Sequence, residues 1–184
     1  MKKLISLTIT ISLVATLYMT TFASIWNFAK GNEDQMYTAK DVQLVYNEFP
    51  QIIRDCSDVR DIYIMSEYGR WGKRAWGSYS TDRILRIFPS RHYLENGRNW
   101  SKGYYLKIIL LHEIGHSFMW KSEYNKNIWK LIYKGGERKL CKKNYREDFA
   151  ECFRMYFSNK DTLRRNFPLR YETMNMLIKM EVDL

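Results

Sequence analysis

Apolar residues recur along the chain at two spacings, and the switch between them divides it into elements. Behind Thr38, a residue suited to capping a helix, Val42, Val45, Tyr46 and Phe49 follow at intervals of three and four until Pro50, which predicts a first helix. Over residues 61–65 and 84–88 β-branched and aromatic residues alternate instead. Two or three strands of a small sheet are expected there, separated by a stretch rich in Gly, Trp and Tyr over residues 68–80. Asn96, Gly97, Asn99 and Ser101 mark residues 94–102 as a turn-rich loop. Helical spacing returns over 104–120, over 123–133 until Gly135 and Gly136, over 145–157, and from Pro168 to about residue 182. Proline is well placed at the first turn of that last helix, because its missing N–H has no partner there anyway. A helix, then strands, then a run of helices, with no internal repeat, predict an α+β domain in which a small sheet meets a central helix and a helical C-terminal part.

The chain has 184 residues, 46% of them hydrophobic and 16% aromatic, enough to fill one core and incompatible with a disordered tail. Thirty Lys and Arg against twenty Asp and Glu give +10, which excludes an acidic solvating region. Lys2 and Lys3 precede an uncharged run from Leu4 to Phe22 that ends beside small residues, Thr21 and Ala23, so residues 1–23 read as a secretory signal cleaved near Ala23. Repeated Ser and Thr in that run weigh against an uncleaved anchor. A polar linker over 24–37 then leads to a catalytic domain over 38–184, and loss of Lys2 and Lys3 leaves the exported chain at +8. Such a field favours association with an anionic cell surface, but no recognition motif for nucleic acid is visible and none is expected to bind. Three cysteines without a CxxC pair exclude a zinc ribbon; export permits one bridge, with Cys56–Cys141 preferred because Cys152 falls within an amphipathic helix.

The central helix, over 104–120, carries Leu111, His112, Glu113, Ile114, Gly115 and His116, an HExxH pattern that takes two of the three histidines in the chain. Residues four apart on a helix share a face, so His112 and His116 can address one ion while Glu113 stands about 100° round the helix. Two neutral imidazoles and a carboxylate suit a catalytic zinc site with one position left for water, and Glu113 is the candidate general base. A third ligand comes from elsewhere, and Glu147 and Glu151, four apart on the helix over 145–157, share a face that meets its apolar side. The economical assignment makes Glu147 the ligand and Glu151 the acceptor for a ligand histidine's free N–H; the reverse order is also open. Met119 and Ser122 stand where a metzincin needs Gly and His, which dismisses that class. Glu123 is too close in sequence to His116 to fold back onto it, and His92 is isolated.

Together, HEIGHSF over 112–118 and EDFAECF over 147–153 resemble the catalytic domain shared by anthrax-toxin lethal factor and the secreted Pro-Pro endopeptidases. The resemblance runs from about Thr38 to the C-terminus. It implies a zincin-like fold and a gluzincin-type zinc metallopeptidase with His112, His116 and Glu147 holding one Zn2+, Glu113 as catalytic residue, and a peptide or protein substrate cleaved by a monomer. One position departs from the pattern: the family carries a tyrosine seven residues before the ligand Glu, where it assists the oxyanion, and this chain has Leu140. Loss of one such donor costs on the order of 10² to 10³ in turnover. Tyr133 and Tyr145 are the nearest substitutes, although Tyr145, two residues from Glu147 on a helix, is expected to point away from the metal. A zincin-fold binding protein of weak or no activity is therefore the alternative. The region over 74–88 is a candidate edge strand for an extended peptide, against the plainer reading of a core hairpin.

Overall fold

In the computed structural model, residues 29–30, 37–65, 76–88, 102–135 and 137–182 are described. The expected signal segment, all of the linker but residues 29–30 and 37, His92 and residues 94–101 lie outside them. Helix α1 (Ala39–Asn47) starts where a reciprocal cap forms: the Thr38 hydroxyl accepts from Asp41 N at 3.2 Å, and the Asp41 carboxylate accepts from Thr38 N at 2.7 Å. It turns Val42 and Val45 inward. A short helix α2 (Gln51–Cys56), not expected from the sequence, follows Pro50 directly and buries Ile53 and Cys56.

The sheet has four strands: β1 (Ala29–Lys30), β2 (Asp61–Ile64), β3 (Gly77–Tyr79) and β4 (Ile84–Ile87), in the order β1-β2-β4-β3. β1, β2 and β4 run parallel, and β3 pairs antiparallel with β4. Ile62 and Ile64 of β2 and Leu85 and Ile87 of β4 point into the core while their neighbours are half-exposed, the alternation the sequence shows. The turn between β3 and β4 uses Arg83 in the left-handed region at φ 65°. The 84–88 segment is thus an inner strand, and among the described residues β3 is the outermost strand on that side; residues 74–75 of the expected region lie outside the described residues.

Helix α3 (Lys102–Lys121) is the centre of the molecule, with Leu106, Leu110, Leu111, Ile114, Phe118 and Met119 each fully buried. Burial on nearly every side is why its apolar residues do not confine themselves to one stripe. Helices α4 (Glu123–Lys134) and α5 (Tyr145–Ser158) have their N-terminal N–H groups capped by Ser122 and Asn144. Helix α6 (Lys160–Asn166) and helix α7 (Pro168–Val182) complete an α+β architecture that is mostly helical. No helix among the described residues is long and apolar enough to cross a membrane.

A buried polar knot ties the helical half together. Arg170 and Asp148, both inaccessible to solvent, pair at 2.9 Å, and Arg170 also meets Glu137 at 2.9 Å. The Asp148 carboxylate further accepts from Trp129 Nε1 at 3.1 Å and from Cys141 N at 3.0 Å. The expected Cys56–Cys141 bridge is not formed, and all three thiols are free. Cys56 is sealed in the core where α2 packs on α3 and α7, and burial pushes its thiol up to about 12; Cys141 lies half-exposed on the loop that Asp148 holds.

Candidate metal centre

Two helices build this site, and a glycine sets their distance. A Cβ on Gly115 of α3 would lie 2.9 Å from Ala150 Cα and 3.0 Å from Phe153 Cβ, so only glycine lets α5 approach this closely. Gly115 lies in the middle of HExxH and Ala150 between Glu147 and Glu151, so the contact places the two motifs face to face. Asn144 fixes the start of α5 by accepting from the N–H groups of Arg146 and Glu147 at 2.9 and 3.1 Å. Glu147 therefore occupies the first turn, one turn before the crossing point.

The Glu147 carboxylate faces both imidazoles: Oε2 is 3.5 Å from His112 Nε2 and Oε1 is 3.5 Å from His116 Nε2. The two rings stand edge to face with centroids 4.9 Å apart. One potential ligand atom from each of the three residues lies within 4.8 Å of the others. Ligands about 2.0–2.1 Å from a tetrahedral zinc are about 3.4 Å apart, and each imidazole has one oxygen of the Glu147 carboxylate near that separation, His112 facing Oε2 and His116 facing Oε1. All three side chains keep some exposure, from 13% at His116 to 30% at Glu147, so the cluster has an open side. Two imidazole nitrogens and one carboxylate oxygen, partly open to solvent, are a set that could hold a divalent metal ion.

Glu151, one turn after Glu147, places Oε2 3.5 Å from His112 Nδ1, the nitrogen on the far side from Glu147. It is itself held by Arg154, whose Nε donates to Oε2 at 2.9 Å and whose Nη2 donates to Oε1 at 2.5 Å. For the chain alone, burial would lower the His112 pKa, but its bonds to Glu147 and Glu151 carry it up to about 10. Hydrogen bonding to His112 holds Glu147 down at about 2; Glu151, despite its burial, is held at about 2 by His112 and Arg154. Burial and then the charge on His112 press His116 down to about 4.

Glu113 points elsewhere, as its place round the helix predicts. It is 5% exposed and lies under β3: a Cβ on Gly77 would come within 2.8 Å of Glu113 Cγ and Oε1, and the Tyr79 backbone N–H donates to the carboxylate. Its Oε2 is buried with no hydrogen-bond partner among the described residues. Burial raises the acid to about 7, poised to hold or release a proton near neutrality.

Every residue singled out as a ligand, base or supporting acid is thus gathered at one place. Leu140 is half-buried against the core, while the hydroxyl of Tyr133 donates to the Lys142 carbonyl at 3.1 Å and that of Tyr145 accepts from Arg146 Nε at 3.3 Å. Sequence reasoning missed Gly77, the Tyr79 N–H and Arg154. Only Arg154 left a trace, three residues beyond Glu151 where helix neighbours pair. Compared with protein-family models, curated proteins and solved structures, the chain has no match.

Proposed function

We propose that this chain is a zinc-dependent endopeptidase with a zincin-like fold, exported and acting as a monomer on peptide or protein substrates. The observation that carries the reading is the position of the Glu147 carboxylate, 3.5 Å from both His112 Nε2 and His116 Nε2, with Glu113 buried alongside on the same helix. His112, His116 and Glu147 would hold the ion, and Glu151 keeps His112 oriented through its other nitrogen. When bound, zinc supplies Lewis acidity that makes water a competent nucleophile near neutral pH and polarises a carbonyl. Glu113 takes the proton from water and delivers it to the leaving amine, a double task suited to a carboxyl raised to about 7. Among the described residues β3 is the outermost strand on its side and lies over Glu113, so an extended peptide adding to it by main-chain hydrogen bonds would bring its carbonyls past the base.

The test is zinc content and peptide-library cleavage of the full chain, wild type and Glu113→Ala, with and without chelator. One zinc per chain and cleavage abolished by chelator are expected. Turnover of Glu113→Ala should be lower by about 10² to 10⁴ with zinc retained. A chain that binds no zinc, or cleaves equally well without it, overturns the reading. Leu140 favours a second reading, a zinc-holding basic protein that binds an anionic surface without turnover, since no tyrosine stands at that position. Zinc without chelator-sensitive cleavage would select it.

A further inference from the structure

His112, His116 and Trp120 occupy successive turns of α3, so the indole continues the face that carries the two imidazoles. Arg146 is one residue before Glu147, and its guanidinium lies over the Trp120 ring at 4.9 Å. Nε of the same side chain donates to the Tyr145 hydroxyl at 3.3 Å. An arginine laid on one aromatic ring and bonded to a second aromatic side chain loses little further freedom when it meets an anion, and its fork of donors matches a carboxylate. It stands close enough to the cluster for its charge to act on His116.

The acids nearby are committed to other cations: Glu123 to Lys126, Glu137 and Asp148 to Arg170, and Glu151 to Arg154. Arg146 itself is exposed. It also closes a segment, residues 134–146, that carries Lys134, Arg138, Lys139, Lys142, Lys143 and Arg146 against the single acid Glu137. That segment is fastened down, since Tyr133 Oη donates to the Lys142 carbonyl and Asp148 receives Cys141 N. The end of this fastened basic segment therefore brings positive charge to the metal centre, Arg146 acting on His116 and Lys143 on Glu147.

We infer that Arg146 recognises a carboxylate of the bound peptide, either an acidic side chain or the C-terminal group, and so selects acidic over neutral ligands at this site. The inference rests on the peptidase reading for the identity of the ligand as a peptide, and its test needs no bond cleavage. Zinc-loaded full chain carrying Glu113→Gln is immobilised and offered pools of N-acetylated dodecapeptides containing Glu, Gln and Lys in equal amount, one pool with free and one with amidated C-termini. Retained peptides are read by mass spectrometry.

About tenfold enrichment of Glu over Gln at one or two positions assigns the carboxylate to a side chain. The same enrichment of free over amidated peptides assigns it to the C-terminus. Adding Arg146→Ala should bring the ratio to about one, Arg146→Glu should turn the preference towards Lys, and Lys134→Ala should leave it as it was. A ratio near one before Arg146 is changed, or enrichment spread over all positions and surviving Arg146→Ala, overturns the inference in favour of a solvated basic face. Charge selection through Arg146 without hydrolysis by the wild type leaves the inference standing and removes the peptidase reading. Hydrolysis without Arg146-dependent selection does the opposite.

Discussion

Glu151 meets His112 through Nδ1 and Glu147 meets it through Nε2, so the imidazole is held between two carboxylates, both partly exposed. A ligand histidine fixed in this way has its tautomer and its ring plane set in advance. Glu151→Gln keeps the shape and removes the charge. Zinc affinity should fall about 10- to 100-fold while saturating metal still gives one ion per chain, as measured by competition with a chromophoric chelator. Affinity equal to wild type would strip Glu151 of this role. His112, His116, Glu147 and Glu151 were legible in the sequence because each pair is four apart on a helix, a spacing whose geometry is known before any fold is. The Tyr79 N–H and Gly77 were not legible, because their meeting with Glu113 is made by the sheet and carries no local pattern.

At the scale of elements, the site depends on how closely α3 and α5 cross. Gly115→Ala would drive a methyl group against the Ala150 backbone, which cannot move aside as a flexible side chain can. Destabilisation of about 1–3 kcal/mol is expected, together with weaker zinc binding, because separating the helices withdraws Glu147 from the histidines. Urea unfolding and zinc titration of the variant check both, and an unperturbed protein would contradict the close crossing. The long helices were readable from their period, and the first also from its cap at Thr38; each begins where expected or within two residues of it. α2 and α6, at six and seven residues, offer too few turns for a period to emerge. β3 is three residues, Gly77–Tyr79, all half-buried, so no alternation announces it. It becomes a strand by pairing with β4.

Across the whole molecule, the helices are joined through one buried arginine. Asp148→Ala would leave Arg170 without its inaccessible partner and free the Trp129 and Cys141 N–H groups at once. The cost should be about 3–5 kcal/mol in the urea-unfolding free energy. A loss under about 1 kcal/mol would show that water or Glu137 takes over the charge. Neither the pairing nor its depth could be read in advance, since Asp148 and Arg170 are 22 residues apart in separate helices and each looks like an ordinary surface charge. Glu137 reaches the same arginine and also accepts from the backbone N–H groups of Leu169 and Arg170, so the basic segment over 134–146 is moored at its beginning to α7 and near its end to α5. Like charges strung on a slack loop relax by drifting apart; strung between two moorings they stay crowded. Through Arg146 and Lys143 at the end of that segment, the protein therefore carries a standing electrostatic tension beside the candidate metal centre, one that dissolved salt or an acidic guest relieves.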